Sequence, residues 1–347
     1  MGPYLSLILV LCAAGWLLLG VVVHLMARSL IRPPRMTDGK AMHVLRRLTP
    51  KDVGLRFEPT TFVVHDVIGG GKLTLSAWWM PFDQASDKTV LLVHGYADAK
   101  VGALAWAPLW HEMGFNILAV DLRAHGDSEG SLCTGGFAER HDLEQVVHEL
   151  AIRRPAETRT LVLFGISLGA AVAAAMAALS QSHNVDISSA GSGDTEATPL
   201  IHAVVLESPF ADFRSASTAH FVQLGLPGGW VARLALRWAQ WLSSANYRAV
   251  RPVVLIGQMT CPLLVLAAGE DLYVGLQEAE NLERAVANRP ASAGPSIYRR
   301  FADVEHLMGV VDAPEAYRQA IAAFVGSVVA VQATGTLRRS AQTSQVL

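Results

Sequence analysis

The chain has 347 residues, 51% of them hydrophobic, which is enough for one large core and argues against two very small domains. Its 28 basic and 30 acidic residues leave a formal net charge of -2, so the basic excess of a nucleic-acid binder is missing and no nucleic-acid partner is expected. Cys12, Cys133 and Cys261 are too few and too widely spaced for a disulfide framework or a metal cluster; they read as free thiols, which a reducing compartment tolerates best.

Leu5 to Met26 is apolar except for Ser6, Cys12 and His24. That length suits a helix crossing the hydrocarbon core. Arg28, Arg32, Arg35 and Lys40 follow it, and no Lys or Arg precedes it. A cleaved signal peptide has the opposite charge order and a shorter apolar core. Leu11 before Cys12 is bulky, where a lipoprotein signal has a small residue. Residues 1–27 are therefore expected to be a transmembrane anchor, with the lipid bilayer as partner. The alternative is an apolar helix docked on the domain. Positive charge only on the C-terminal flank puts a very short N-terminus outside and the rest of the chain in the cytoplasm. The expected location is the cell inner membrane, single-pass.

Residues 28–60, with Pro33, Pro34 and Pro50, read as a juxtamembrane linker. Thr61–Val67 and Lys72–Trp79 are apolar runs separated by Gly69, Gly70 and Gly71, a hairpin signal. Leu73, Leu75, Ala77 and Trp79 share one face by period two. From there strand and helix alternate. Strands are expected at Thr89–Val93, Phe115–Val120, Arg159–Phe164, Ile201–Leu206, Cys261–Ala267 and Ile297–Phe301. Helices are expected at Val101–Met113, Phe137–Ile152, Leu168–Leu179, Leu276–Ala287 and Ala313–Val331. This is the pattern of an α/β domain, residues 61–331, with a mostly parallel central sheet flanked by helices. Gln181–Thr198, rich in Ser, Gly, Asn and Asp, reads as a mobile surface insertion. Residues 211–259 hold Phe221, Trp230, Trp238 and Trp241 at helical spacings and read as a small helical lid, with the tryptophans as an apolar pocket roof or as ordinary packing. The polar tail, residues 332–347, is expected to be loose.

Gly165-Ile166-Ser167-Leu168-Gly169 is a G-x-S-x-G run between a buried strand and an Ala-rich helix. A strand turning straight into a helix bends the serine backbone sharply, and small neighbours let the chains pass. The hydroxyl is then exposed at the strand end, facing the helix N-terminus. Ser167 is the expected nucleophile. A serine hydroxyl needs a general base, and the base needs a carboxylate to orient it. Asp271 follows a strand in Gly269-Glu270-Asp271, and His306 follows the last strand before Leu307-Met308-Gly309. The order Ser167, Asp271, His306 is that of strand–elbow–helix enzymes. Glu270 and Glu207 remain rivals for the acid. Negative charge developing on a carbonyl oxygen needs donors. The Leu168 amide is one, and the Tyr96 amide, in the Gly95-containing loop after Thr89–Val93, is the other. The Tyr96 ring either enters the pocket or packs.

These residues together resemble the α/β-hydrolase superfamily, and within it the serine aminopeptidase and esterase-like branch with an N-terminal membrane anchor. His94-Gly95 is similar to that family's oxyanion-loop pair, and Asp121-Leu122-Arg123-Ala124-His125-Gly126-Asp127-Ser128 to its D-x-R-x-H-G-x-S loop. Gly165 to Gly169 resembles its nucleophile elbow, and Leu206-Glu207-Ser208-Pro209-Phe210 its segment after the sixth strand. Asp271 and His306 match its acid and histidine positions. The resemblance covers roughly Thr61 to Val328 and is far more specific for fold than for substrate. Asn288–Ser296 departs from it by lengthening the interval from Asp to His.

The resemblance implies an α/β-hydrolase fold and cleavage of a carboxylic ester or thioester, with a small-molecule acyl substrate carrying an apolar acyl group. An amidase or peptidase would use the same residues, and a catalytically inactive membrane-tethered binding protein could keep the fold. Arg123 and His125 either fix the strand-end loops or bind an anionic substrate, the structural reading being the commoner one. No H-E-x-x-H run, cysteine pair or carboxylate cluster implies a metal, and Gly69–Gly71 lacks the lysine and helix of a phosphate loop. No cofactor or metal is expected.

Overall fold

A computed structural model describes residues 3–190 and 201–343, with side chains described for 4–179 and 201–329. The charge-free apolar stretch forms α1 (Pro3–Ile31), the one described helix long and apolar enough to cross a membrane. Its two halves differ. Every side chain from Tyr4 to Leu18 is exposed, whereas Met26, Ala27, Leu30 and Ile31 are buried in the domain. The segment expected as a linker is docked as well. It carries α2 (Asp38–Leu45), capped by the Thr37 hydroxyl accepting from the Lys40 amide at 3.3 Å. Before it, the Arg35 guanidinium donates to the carbonyls of Gly126, Ser128 and Gly130 at 2.6–2.8 Å.

The hairpin forms as expected. β1 (Glu58–His65) and β2 (Lys72–Met80) pair antiparallel, with Phe62 opposite Leu75. The parallel part of the sheet is β3 (Lys88–Val93), β4 (Asn116–Val120), β5 (Thr160–Ile166), β6 (Ala203–Glu207), β7 (Leu263–Ala268) and β8 (Ser296–Phe301). The order across the eight strands is β1-β2-β4-β3-β5-β6-β7-β8, with β4 antiparallel to β2. Between the strands run α3 (Lys100–Ala103), α4 (Ala107–Glu112), α5 (Glu139–Arg153), α6 (Leu168–Ala190), α7 (Phe213–Gln223), α8 (Gly229–Ser243), α9 (Pro252–Leu255) and α10 (Leu276–Ala287). After β8 come α11 (Gly309–Asp312) and α12 (Pro314–Thr343). The α7–α9 segment lies between β6 and β7, in the region where a helical lid is expected from the sequence.

Period two explains the two-sided core. Along β3, Val90 and Leu92 face Trp106, Trp110 and Phe164, while Leu91 and Val93 face the side covered by α5 and α6. Such strands are buried on both faces, which is why they read as unbroken apolar runs.

Three expectations are corrected. The helix expected over Val101–Met113 is two short ones, α3 and α4, with Pro108 restarting the chain at the head of α4. The helix after Ser167 does not stop at Leu179 but continues through Ala190, because nothing in Gln181–Ala190 is a proline or glycine. The remainder of the expected insertion, residues 191–198, lies outside the described residues. The final helix likewise passes Val331 and runs to Thr343 through a stretch without proline, so the tail from 332 is helical that far.

The parallel strands all point their C-terminal ends the same way. The loops that follow β3, β5, β6, β7 and β8 therefore meet, and they carry Gly95–Asp98, Ser167, Ser208, Asp271 and His306.

Candidate active site

Ser167 sits between the last residue of β5 and the first of α6, at a φ of 52°. A non-glycine residue held in the left-handed region is strained, and the surroundings must over-determine it. Here they do. A Cβ on Gly165 would lie 2.3 Å from the Gly169 carbonyl oxygen, and one on Gly169 would lie 2.1 Å from that of Val93. The Ser167 amide donates to the Glu207 carbonyl at 2.9 Å, which ties the elbow to β6.

His306, in the loop after β8, has its Nε2 3.0 Å from Ser167 Oγ. Its Nδ1 lies 2.6 Å from Asp271 Oδ2. Asp271 is held in turn, since its Oδ1 accepts from the Tyr273 and Val274 amides at 2.8 and 3.0 Å. The Asp271 side chain is 2% exposed and that of His306 16%, so the acid end of this line is shut away while Ser167 and the imidazole meet the pocket. The Tyr273 ring packs on the imidazole, centroids 5.0 Å apart. The three expected residues are thus brought together from loops 104 and 35 residues apart along the chain.

The rival acids are elsewhere. Glu270 is exposed. Glu207 is buried, with one oxygen accepting from the Tyr317 hydroxyl at 2.7 Å and the other from the Ser208 hydroxyl at 3.1 Å. Burial pushes its carboxyl up to about 7. Its link to the site is indirect: Ser208 Oγ also accepts from the Leu307 amide, next to His306, at 3.4 Å.

The Gly95 loop lies against the elbow, so that a Cβ on Gly95 would be 3.5 Å from Ser167 Cβ. Among the described residues neither the Tyr96 nor the Leu168 amide has an acceptor in the chain. His94 sets this loop and was not legible as doing so. Its Nε2 accepts from the Leu122 amide at 3.0 Å, so its Nδ1 carries the proton and donates to the Gly95 carbonyl at 2.8 Å. Burial, then the neighbouring His125, pushes its pKa well below the ordinary range and keeps it neutral. The Tyr96 ring packs rather than reaching for substrate: its hydroxyl donates to the Ser29 carbonyl of α1.

A cavity of about 580 Å³ opens over Ser167 and His306. One wall is α7, through Phe213, Ala216, Ser217 and His220; another is the docked end of α1, through Ser29 and Leu30. None of the α8 tryptophans lines it, so the expected tryptophan roof is corrected: α7 is the roof, and Trp230 and Trp241 face outward, 55% and 70% exposed. Asp98 also lines the cavity, with Oδ1 buried and unpaired among the described residues. Burial pushes its carboxyl up to about 6.

Arg123 and His125 do not reach this cavity. Arg123 clamps Asp142 through two 2.6 Å bonds and Asp66 through one of 2.8 Å, all below the surface. His125 Nδ1 pairs with the Arg123 carbonyl at 2.9 Å. The structural reading of this loop is the one its bonds favour.

This geometry, a serine at a strained strand–helix elbow over an eight-stranded, mostly parallel sheet, defines a hydrolase class that the comparisons name. The model of the Alpha/beta hydrolase family matches residues 90–320, and the chain belongs to that family. The uncharacterized protein YqkD of Bacillus subtilis is 24% identical over 276 residues, 79% of this chain and 81% of that protein. The lysophosphatidylserine lipase ABHD12 of Danio rerio is 26% identical over 226 residues, 63% of this chain and 53% of that protein. Among solved structures, the esterase Pf2001 of Pyrococcus furiosus superposes with a TM-score of 0.61 at 22% identity, covering 86% of this chain and 97% of that one. The chain is a hydrolase with the α/β-hydrolase fold.

Proposed function

We propose that the chain is a serine hydrolase that cleaves carboxylic ester or thioester bonds through an acyl-Ser167 intermediate. The observation that carries this reading is the continuous line Asp271–His306–Ser167, at 2.6 and 3.0 Å, ending at a largely apolar cavity. Ser167 Oγ attacks the carbonyl carbon while His306 Nε2 takes its proton. The Tyr96 and Leu168 amides hold the oxygen as it becomes negative. His306 then protonates the leaving alcohol or thiol, and a water activated by the same nitrogen releases the acid. Asp271 keeps Nδ1 protonated, so that Nε2 faces the serine. A relative named a lysophosphatidylserine lipase favours acyl-ester cleavage as the first choice. The test is fluorophosphonate labelling of the detergent-solubilised full chain, followed by a p-nitrophenyl ester panel. Labelling of the unaltered chain and none of a folded Ser167→Ala variant is expected. An unlabelled, folded chain would mean a binding protein on a silent hydrolase fold.

Asp98 supports a second reading, an amidase or peptidase. A carboxylate with one oxygen unpaired at the cavity is what a free amine of the substrate would meet. Aminoacyl p-nitroanilides turned over faster than the esters, with Asp98→Asn abolishing the difference, would establish it.

The same proposal makes α1 a single membrane span, with the hydrolase domain on the cytoplasmic side of the cell inner membrane. It rests on the apolar stretch from Tyr4 and on Arg28 and Arg32, both exposed, on its C-terminal flank. Carbonate-washed membranes should retain the chain. Protease added outside intact spheroplasts should spare the domain, and its digestion there would reverse the orientation.

A further inference from the structure

The exposed run of α1 among the described residues is shorter than the hydrocarbon core of a bilayer. Tyr4 to Leu18 is 15 residues, about 22 Å at 1.5 Å per residue, against a hydrocarbon core of about 30 Å. The missing 8 Å or so is about five residues. Those are Leu19–Val23, and Leu19, Val22 and Val23 already pack against the domain. The membrane boundary therefore falls near His24, within the docked half of the helix. The residue that meets α1 there is Trp238 of α8, whose indole N–H donates to His24 Nδ1 at 3.0 Å.

The rest of α8 has the composition that this position calls for. Trp230, Leu234, Trp238 and Trp241 are all at least 38% exposed. At 100° per residue they fall within an arc of about 80° on one helix face. Trp238 and Trp241 stack, centroids 4.7 Å apart. Arg233 and Arg237 border this stripe and are exposed, and α8 contains no Asp or Glu. Water solvates such a stripe poorly, and a soluble domain has no reason to expose it. An interfacial helix is built this way: aromatic and Leu side chains at the acyl boundary, Arg at the anionic headgroups. The cavity over Ser167 is close by. Its wall residues Ser29 and Leu30 lie five and six residues past His24, about 8–9 Å along the axis.

We infer that α8 is a bilayer-contact helix that lies in the leaflet through which α1 leaves the membrane, with Arg233 and Arg237 at anionic headgroups, so that the Ser167 cavity takes its esters from that leaflet. The inference rests on the anchor and hydrolase readings above, and its two arms separate their failures. The first arm needs no activity. The full chain, with Trp16→Phe to silence the span, is reconstituted in vesicles of phosphatidylcholine with 30% phosphatidylglycerol, with and without brominated acyl chains. Because Trp79, Trp106 and Trp110 are buried in the domain and the half-buried Trp78 is packed between Phe57 and Lys100, the difference between this chain and one that also lacks Trp230, Trp238 and Trp241 reports α8. Loss of a third or more of the emission is expected, falling below a tenth when Trp230, Trp238 and Trp241 are also changed to Phe. Quenching below a tenth in the Trp16→Phe chain, in vesicles that retain it through a carbonate wash, overturns the α8 surface while the anchor stands. Release by carbonate removes the anchor and the inference with it.

The second arm compares esters. A Trp230→Ser, Leu234→Ser, Trp241→Ser variant should hydrolyse a vesicle-embedded long-chain ester at least tenfold more slowly. Its rate on water-soluble p-nitrophenyl butyrate should stay within twofold. Equal effects on both esters, or no effect on either, overturn the leaflet supply. A detergent-solubilised dimer that this variant turns into a monomer would assign the face to a second copy and also overturn it. An unaltered chain that cleaves neither ester refutes the hydrolase reading and with it the leaflet supply, and leaves the quenching result to decide the surface.

Discussion

The Ser167 elbow and the α8 face carry opposite kinds of information. At the elbow the backbone is close-packed and the reacting side chains are partnered. Two glycines admit backbone oxygens closer than a Cβ allows, and each side chain of the Asp271–His306–Ser167 line has a partner. On α8 large apolar side chains stand in the open with little around them. The first arrangement is specified by contact and breaks when an atom is added or a proton is misplaced. The second is specified by a boundary between media: apart from the Trp238–His24 bond and the Trp238–Trp241 stack, its contacts do not account for the exposed face. A substitution at the elbow should therefore act through chemistry or folding, and one on α8 only where a membrane is present.

The sharpest break of this contrast is within the elbow's own surroundings. Asp271→Asn should lower kcat/KM by about 10⁴-fold, because an amide at Oδ2 favours the tautomer that turns a proton toward the serine. Glu207→Gln, at a buried side chain hydrogen-bonded away from the imidazole, should stay within about tenfold of the unaltered chain. Steady-state kinetics on one p-nitrophenyl ester decides it. If Glu207→Gln is the dead variant, the acid is Glu207 and the line through Asp271 is structural.

The next effect is on folding. Gly169→Ala puts a Cβ 2.1 Å from the Val93 carbonyl oxygen, backbone against backbone with nothing flexible to yield. A loss of about 3 kcal/mol or more is expected, at or beyond the upper end of overpacking costs. Gly15→Ala, on the exposed half of α1 with nothing within 4 Å, should leave the thermal transition of the solubilised domain where it is. Equal shifts in the two variants would mean that the elbow has slack that its geometry denies.

How much of this could be read from the sequence follows the same division. The sheet strands were legible because they are buried on both faces and so form unbroken apolar runs, as in Val90–Val93 and Leu263–Ala268. Ser167, Asp271 and His306 were legible because each follows a strand in the order that brings the loops together. Gly165 and Gly169 were legible as small residues at a crowded turn. His94 was legible only as half of the His-Gly pair that the resemblance marks, because its work is a tautomer, set by the Leu122 amide 28 residues away. Asp98 was not legible, because a buried carboxylate with an unpaired oxygen differs from a solvated one only in its surroundings. The tryptophans of α8 were legible as an apolar helix but not as an outward face. Helical spacing puts them on one side without saying what lies on that side, and the cavity roof turned out to be α7. Helix ends failed for a local reason: polar residues such as those of Gln181–Ala190 read as loop, yet nothing in them stops a helix.

The smallest effect follows from the titration of Glu207, and the face of α8, which has no acid, offers no counterpart to it. Burial raises the Glu207 carboxyl from 4.5 to about 7 in the folded chain. Between those values the folded state holds a proton that the unfolded state has released. Stability therefore falls as pH rises through this window, and the penalty is complete once pH exceeds the folded value. A shift of this size corresponds to something on the order of 3 kcal/mol. The carboxylate that forms keeps the Tyr317 and Ser208 hydroxyls as donors, so the site is weakened rather than broken. Glu207→Gln cannot release a proton, so its stability should lack this component. At pH 4.5 the unaltered chain, with Glu207 protonated in the fold, should melt at or above the variant. By pH 7.5 the variant should have gained on it by several degrees. Thermal melts of both proteins across pH 4.5–8 in one detergent check the slope. Parallel curves would mean that Glu207 titrates at its ordinary value, and that water or a cation reaches a carboxylate that otherwise lies sealed between β6, Ser208 and Tyr317.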